Sequence, residues 1–150
     1  MTALLIVAHA PLASALAAVA RHTYVDCAAT LTALDVTPQM APEEAQTQLA
    51  AAVAAFGAEA EVLILTDVFG ATPCNVAQRV ADGQRVRVLA GVNVPMLWRT
   101  LCYQHEPIAS LVERAQSGAT QGVLQASPNR PQHQSPRATT DAEGHRHDQQ

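Results

Sequence analysis

Two polar residues, His9 and Asp67, each stand at the end of a short apolar run. The runs, residues 4–8 and 62–65, are typical of buried parallel strands. Neighbouring parallel strands lie about 4.8 Å apart and end at the same edge of a sheet, so the two side chains can touch. A carboxylate that holds the Nδ1–H of a histidine leaves the other ring nitrogen as a nucleophile. His9 and Asp67 are therefore the candidate catalytic residues, although a strand-end histidine taken alone is more often structural.

The turn that follows Asp67 predicts a site for an anion. Gly70 permits backbone angles that other residues resist, Thr72 is predicted as the N-cap of the next helix, and Pro73 suits its first position. Free amides and the dipole at a helix N-terminus favour negative charge. We predict that Gly70, Ala71 and Thr72 bind the phosphate of a phosphoryl group carried by His9. The alternative is that Thr72 simply caps the helix.

The elements that would position these residues alternate between strand and helix. Apolar runs predict strands over residues 4–8, 31–36, 62–65 and 85–90, the last of them at an edge or only half covered. The pattern predicts an α/β fold, a doubly wound, mainly parallel sheet covered by helices on both faces. Three finer expectations follow: a first helix over 11–21 with Leu12, Leu16 and Val19 facing the sheet, a last helix that ends at Gly118, and a last short strand over 122–124.

Length and composition limit the function. A chain of 150 residues with 49% hydrophobic and 15% charged residues is long enough for one core, which we place in residues 1–125. Residues 126–150 contain no aliphatic residue larger than alanine, which predicts a disordered polar tail; weak metal binding by its histidines is the less favoured alternative. The net charge of −4 argues against nucleic acid as the main partner. The nine Lys/Arg positions are all arginine, which argues against an ATPase phosphate loop, because that loop needs a lysine.

The cysteines and the hydropathy indicate a cytoplasmic protein. Cys27, Cys74 and Cys102 are too widely spaced for a metal site, and we expect them to be buried thiols in a reducing compartment. No segment reaches the ~18 uninterrupted apolar residues of a membrane span, so we expect a soluble chain that is not inserted in a membrane. We expect no cofactor and no metal.

Three segments resemble a known family: Val7-Ala8-His9, LTDVFGATPCNVAQRV at 65–80, and LAGVNVPML at 89–97. They are similar to the IIA proteins of the mannose/fructose class of the phosphoenolpyruvate-dependent sugar phosphotransferase system, over residues 1 to about 125. The resemblance implies a protein-histidine phosphotransferase that accepts phosphate on Nε2 of His9 from an HPr-like carrier and passes it to a IIB protein for sugar uptake. Asp67 would hold the ring and Thr72 would supply a hydroxyl on the phosphate side. The resemblance places Phe69, Gly91, Asn93 and Pro95 at the rim of the site.

The resemblance also implies a homodimer that exchanges a final strand, here residues 121–125, and an indirect association with a IIC/IID permease. The chain departs from the family after His9, where Ala-Pro-Leu-Ala stands in place of a glycine and bulkier residues. Because many transport members carry a IIB domain beyond such a tail, the alternative function is a regulatory protein switched by phosphorylation of His9, with no transport role. A third interpretation is the carrier subunit of a dihydroxyacetone kinase. It ranks last because that subunit usually lacks the Gly-x-[Ser/Thr]-Pro run, which is present here.

Overall fold

The computed structural model describes residues 1–128, and these form one parallel sheet with helices on both faces. The strands are β1 (Ala3–His9), β2 (Thr32–Val36), β3 (Val62–Thr66) and β4 (Val86–Ala90). The helices are α1 (Leu12–Thr23), α2 (Pro42–Ala54), α3 (Thr72–Val80), α4 (Val94–Tyr103) and α5 (Ile108–Gln121). The predicted α/β class is confirmed. Within residues 1–128, no helix combines the length and the hydropathy that a bilayer span requires. The predicted tail lies almost wholly outside the described residues.

The strand order, β2-β1-β3-β4, creates the switch point that the sequence predicted. From β1 the chain moves outward to β2 and then returns to the opposite side of β1, so that β1 and β3 are neighbours. Their register ends at the pair Val7 and Thr66, which brings the residues that follow both strands to one edge. Ligands of open α/β sheets bind at this kind of edge, because the loops on its two sides diverge there.

Two apolar layers hold the helices to the sheet. Side chains alternate along a strand, so Leu4, Ile6 and Ala8 of β1 pack with α1, α4 and α5, while Leu5 and Val7 pack with α2 and α3. Every residue of β3 is buried, which explains its uninterrupted apolar sequence. The strand β4 forms an edge and all its residues are half-buried, as the alternating sequence predicted.

The inward face of α1 differs from the prediction. Leu16 is buried as expected, but Leu12 and Val19 are 40% and 45% exposed. The buried stripe consists of Leu16 with three alanines, Ala13, Ala17 and Ala20. Alanines let the helix approach the sheet closely, so the larger residues remain at the border of the contact.

The C-terminal end of the fold also differs from the prediction. Gly118 does not end α5 but lies inside it, buried against the side chain of Arg99, and the helix continues to Gln121. Residues 122–124 form no strand within this chain, and both Val123 and Leu124 are exposed. A strand requires a hydrogen-bonding neighbour, and these residues reach none in their own sheet. Exchange of residues 121–125 between two subunits stays a prediction.

The three cysteines do not share one environment. Cys74 is buried in α3, as expected, whereas Cys27 and Cys102 are exposed, so the expectation of three buried thiols is wrong for two of them. Cys27 lies in the turn after α1 and Cys102 in the last turn of α4, both at the border of the packed helices.

Candidate functional site

His9 and Asp67 meet at the carboxyl edge of the sheet. His9 is the last residue of β1, and Asp67 follows the last residue of the neighbouring β3. The Nδ1 atom of His9 lies 2.6 Å from Oδ2 of Asp67, a distance typical of a strong, charge-assisted hydrogen bond. The same carboxylate oxygen accepts the backbone N–H of His9 at 2.9 Å, so Asp67 holds both the ring and the main chain of His9.

The environment of Asp67 keeps it ionised. Burial opposes the charged form, but the hydrogen bonds from the amide and ring of His9 and from the amide of Val68 outweigh burial, so the pKa of Asp67 lies below its ordinary value. The Val68 amide donates to Oδ1 at 2.9 Å, which leaves each oxygen of the carboxylate with a partner. An ionised Asp67 accepts a hydrogen bond from Nδ1–H and thereby stabilises the ring tautomer that carries its proton on Nδ1.

The histidine ring is accessible while its carboxylate partner is not. The side chain of His9 is 53% exposed and that of Asp67 only 11%. With Nδ1–H donated to Asp67, the lone pair of the ring lies on Nε2, which is free to react with a group arriving from solvent. The pair therefore has the geometry of an oriented nucleophile.

The turn between β3 and α3 contains the predicted anion-binding residues, with one correction. Gly70 has φ of +88°, the left-handed region that glycine enters without strain. Ala71, not Thr72, is the N-cap of α3, and no side chain caps the helix; Thr72 is the first helical residue and Pro73 the second. Because Ala71 has an extended backbone and Thr72 is already helical, the helix starts one residue earlier than predicted. The predicted capping role of Thr72 is therefore wrong, and its hydroxyl is not used for a cap.

Sequence reasoning missed Asn75 as a residue of this turn. Its side-chain Nδ2 donates to the carbonyl oxygen of Gly70 at 3.1 Å, and its backbone N–H donates to the carbonyl oxygen of Ala71 at 2.9 Å. Asn75 therefore holds both residues before the helix in position. The Asn at the end of the Gly-x-Thr-Pro-x-Asn run was the available signal.

The first turn of α3 is better suited to an anion than that of α1. Asp35 of β2 accepts the amide of Ser14 at 3.1 Å, so a carboxylate of the chain itself already occupies the N-terminal turn of α1. The first turn of α3 contains no acidic residue. The backbone amides of Thr72 and Cys74 precede the first intrahelical hydrogen bond, which the Asn75 amide makes, and donate to no carbonyl of residues 1–128.

The predicted rim residues divide into two groups. The amide of Gly91 donates to the carbonyl of Asp67 at 2.8 Å, which ties the β4–α4 loop to the site, and Phe69 is 75% exposed just after Asp67. Asn93 accepts from the Met96 amide at 2.9 Å as the N-cap of α4 and donates to the carbonyl of Ala119 at 3.1 Å. Pro95 is the second residue of α4 and contacts Gly122. The contacts of Asn93 and Pro95 thus anchor α4 to α5, and their place at the rim of the site stays a prediction.

The charges around the site are few. Both Arg–carboxylate ion pairs of residues 1–128, Arg85 with Glu59 and Arg114 with Glu106, lie elsewhere, and His9 and Val68 supply the hydrogen bonds to Asp67. Residues 1–128 contain no group of three or more metal-ligating side chains. The backbone amides at the start of α3 are therefore the groups of this turn that favour an anion.

Known proteins resemble this chain in sequence. The family model EIIA-man, described as "PTS system fructose IIA component", matches residues 3–116. The PTS system fructose-specific EIIA component of Bacillus subtilis (strain 168) is 50% identical over 44 residues, 29% of this chain and 30% of that protein. The PTS system mannose-specific EIIAB component of Escherichia coli (strain K12) is 39% identical over 74 residues, 45% of this chain and 22% of that protein. The matched part of the chain spans less than a third of either relative.

Solved structures share the fold. The mannose/sorbose specific IIA subunit of the phosphotransferase system from Enterococcus faecalis superposes with a TM-score of 0.79 at 23% identity, over 87% of this chain and 98% of that one. The phosphotransferase component EIIA from Streptococcus agalactiae superposes with a TM-score of 0.71 at 20% identity, over 83% and 97%. Since the family model covers most of the chain and the fold agrees, the chain belongs to the EIIA-man family, the IIA components of the mannose/fructose class of the phosphotransferase system.

Proposed function

We propose that this protein is a phosphoryl carrier that receives phosphate on Nε2 of His9 from the phosphohistidine of an HPr-like protein. The observation that carries the proposal is the 2.6 Å contact between Nδ1 of the half-exposed His9 ring and the ionised Asp67. Membership in a family of phosphotransferase components supports a transferase role.

In this proposal the phosphoryl group is transferred in one displacement. The lone pair of Nε2 attacks phosphorus in line with the phosphorus–nitrogen bond of the donor, that bond breaks, and its electron pair returns to the donor ring. The Nδ1 proton stays in the hydrogen bond to Asp67, whose charge stabilises the ring as it becomes more positive. The amides at the start of α3, with Gly70, Ala71 and Thr72, bind the phosphoryl oxygens.

The acceptor in this proposal is a IIB protein, which passes the phosphate on during sugar uptake. The name of the Escherichia coli relative, an EIIAB component, supports a IIB acceptor. The proposal includes a cytoplasmic homodimer that associates indirectly with a IIC/IID permease. Residues 1–125 form the carrier domain in this proposal, and residues 126–150 are a polar tail.

The test is mass spectrometry under alkaline conditions after incubation with phosphoenolpyruvate, enzyme I and HPr. We expect one acid-labile phosphoryl group on the wild type and none on His9→Ala. His22→Ala is the matched control, because His22 is an exposed histidine at the other end of α1 and should leave phosphorylation intact. A wild type that takes no phosphate would contradict the carrier role.

A second step separates transport from regulation. Purified phosphoprotein is mixed with a mannose-class IIB protein, and loss of phosphate from His9 is followed over time. Rapid transfer to IIB supports the carrier in sugar uptake. Phosphate that is accepted from HPr but retained in the presence of IIB would favour the regulatory alternative.

A further inference from the structure

A cavity of about 590 Å³ lies where the end of α1 meets α4 and α5. Neither His9 nor Asp67 lines it, so it is separate from the proposed phosphoryl site. Its volume falls in the range of small-molecule sites, about 300–1,000 Å³. The walls consist mainly of aromatic and apolar side chains with one cation: Tyr24, Val94, Pro95, Trp98, Arg99 and Tyr103.

The aromatic content of this cavity is exceptional for the chain. Tyr24, Trp98 and Tyr103 are three of the five aromatic residues in the whole sequence. Tyr24 and Trp98 are fixed against each other edge to face, with ring centroids 5.6 Å apart. All three residues are half-buried, and the guanidinium of Arg114 lies over the Tyr103 ring, 4.2 Å from its centroid, so Tyr24 and Trp98 are the rings left for a ligand. Aromatic walls of this kind favour a flat, aromatic guest.

Arg99 supplies a cation to the wall, and Glu106 and Glu113 line a neighbouring cleft with it. No carboxylate of residues 1–128 forms an ion pair with it, whereas Arg114 beside it is bound to Glu106 by two hydrogen bonds of 2.9 and 3.0 Å. Gly118 lets the stem of Arg99 lie flat on α5, because a Cβ at Gly118 would come within 2.3 Å of the arginine Cγ. The stem of Arg99 is thus positioned by packing against α5 and not by an ion pair.

From these observations we propose that the cavity binds a planar aromatic anion, whose ring lies against Tyr24 and Trp98 and whose carboxylate, sulfonate or phosphate pairs with Arg99. The apolar walls account for the ring, and Arg99, which forms no ion pair within residues 1–128, accounts for the anion. The proposal does not depend on the phosphoryl-carrier role of His9.

The chain provides its own reporter, because Trp98 is the single tryptophan in the sequence. Two probes with the same ring system are compared: 1-anilinonaphthalene-8-sulfonate, which is an anion, and N-phenyl-1-naphthylamine, its uncharged parent. Energy transfer from Trp98 to the probe is titrated at a fixed protein concentration. We expect saturable binding of one sulfonate probe per chain.

Variants separate the charge from the apolar walls. Arg99→Gln should weaken the sulfonate probe about tenfold or more and leave the uncharged probe unchanged, because it removes one charge-assisted contact. Arg85→Gln is the matched control, since Arg85 is an exposed arginine that does not line the cavity. Cys102→Phe, at an exposed residue of the wall, should fill the cavity and abolish binding of both probes. Circular dichroism verifies that each variant is folded.

Three results would overturn the proposal. The first is binding that does not saturate at one probe per chain. The second is an Arg99→Gln variant that binds the sulfonate probe as the wild type does or that weakens both probes equally. The third is Trp98 emission that changes with protein dilution in the absence of probe, because the cavity would then be covered by a second copy of the chain.

Discussion

Replacement of Asp67 by asparagine directly tests the role of the carboxylate in orienting His9. One oxygen of Asp67 accepts the amide and the ring N–H of His9, and the other accepts the amide of Val68. Asparagine replaces the two carboxylate oxygens by one carbonyl oxygen, which accepts hydrogen bonds, and one NH2 group, which donates them. With its oxygen toward His9 it keeps both of those hydrogen bonds but loses the charge and leaves the Val68 amide to solvent. With its nitrogen toward His9 it stabilises the tautomer that carries the proton on Nε2 and therefore has no lone pair there.

The size of the effect follows from these two orientations. A hydrogen bond to a charged group contributes about 1.5–3 kcal/mol and a neutral one about 0.5–1.5 kcal/mol, so loss of the charge alone removes on the order of 1–1.5 kcal/mol. Each ~1.4 kcal/mol corresponds to tenfold in rate, and the wrong tautomer adds a further loss. We therefore expect Asp67→Asn to be phosphorylated about 10- to 100-fold more slowly, with the fold retained.

The assay is transfer of labelled phosphate from phospho-HPr, quenched in alkali and followed in time. Asp82→Asn is the matched control, because Asp82 also accepts two backbone amides, those of Gln84 and Val86, both at 2.8 Å. Asp82 lies just before β4, at the amino ends of the strands and thus opposite the end where His9 lies. It should be phosphorylated at the wild-type rate. An Asp67→Asn protein with wild-type kinetics would refute the orienting role of the carboxylate.

Three further predictions concern the turn, the pH dependence and the tail. Gly70→Ala should destabilise the protein by about 1–2 kcal/mol and slow transfer, because φ is +88° although the space for a methyl group is open; Gly83→Ala, at φ +75° and equally open, should lower the melting temperature without affecting transfer. The pKa of Asp67 is lower in the folded protein, so its stabilisation is fully present above the unfolded pKa and is lost as the pH falls through the folded one. The difference in unfolding free energy between wild type and Asp67→Asn should thus be constant near neutral pH and shrink only below about pH 4; a difference that already vanishes at pH 6 would contradict this. Removal of residues 126–150 should leave both melting temperature and phosphorylation rate unchanged, and a large drop in either would show that the tail binds to the domain.

Local patterns were sufficient to predict the sheet. Residues 4–8 and 62–65 are apolar without interruption because both faces of a central parallel strand are covered, and the alternating residues of β4 fit an edge. Gly70 was also predictable, since a sharp turn after a strand needs a positive φ. Helix faces were less predictable: the exposed Leu12 and Val19 are as apolar as the buried Leu16 and differ only in where α1 touches the sheet.

The sequence by itself determined the α/β class, the central strands and the two residues at their ends, because each depends on neighbours in the chain. The tertiary structure decided which contacts those residues make: that one oxygen of Asp67 holds both the ring and the amide of His9, that Ala71 and not Thr72 caps α3, and that Asn75 holds Gly70. It also brought together Tyr24, the C-cap of α1, and the aromatic residues of α4 beside Arg99, which no spacing in the sequence indicates. These features depend on strand order and on how closely helices approach the sheet, and both are set by packing between segments that are far apart in the chain.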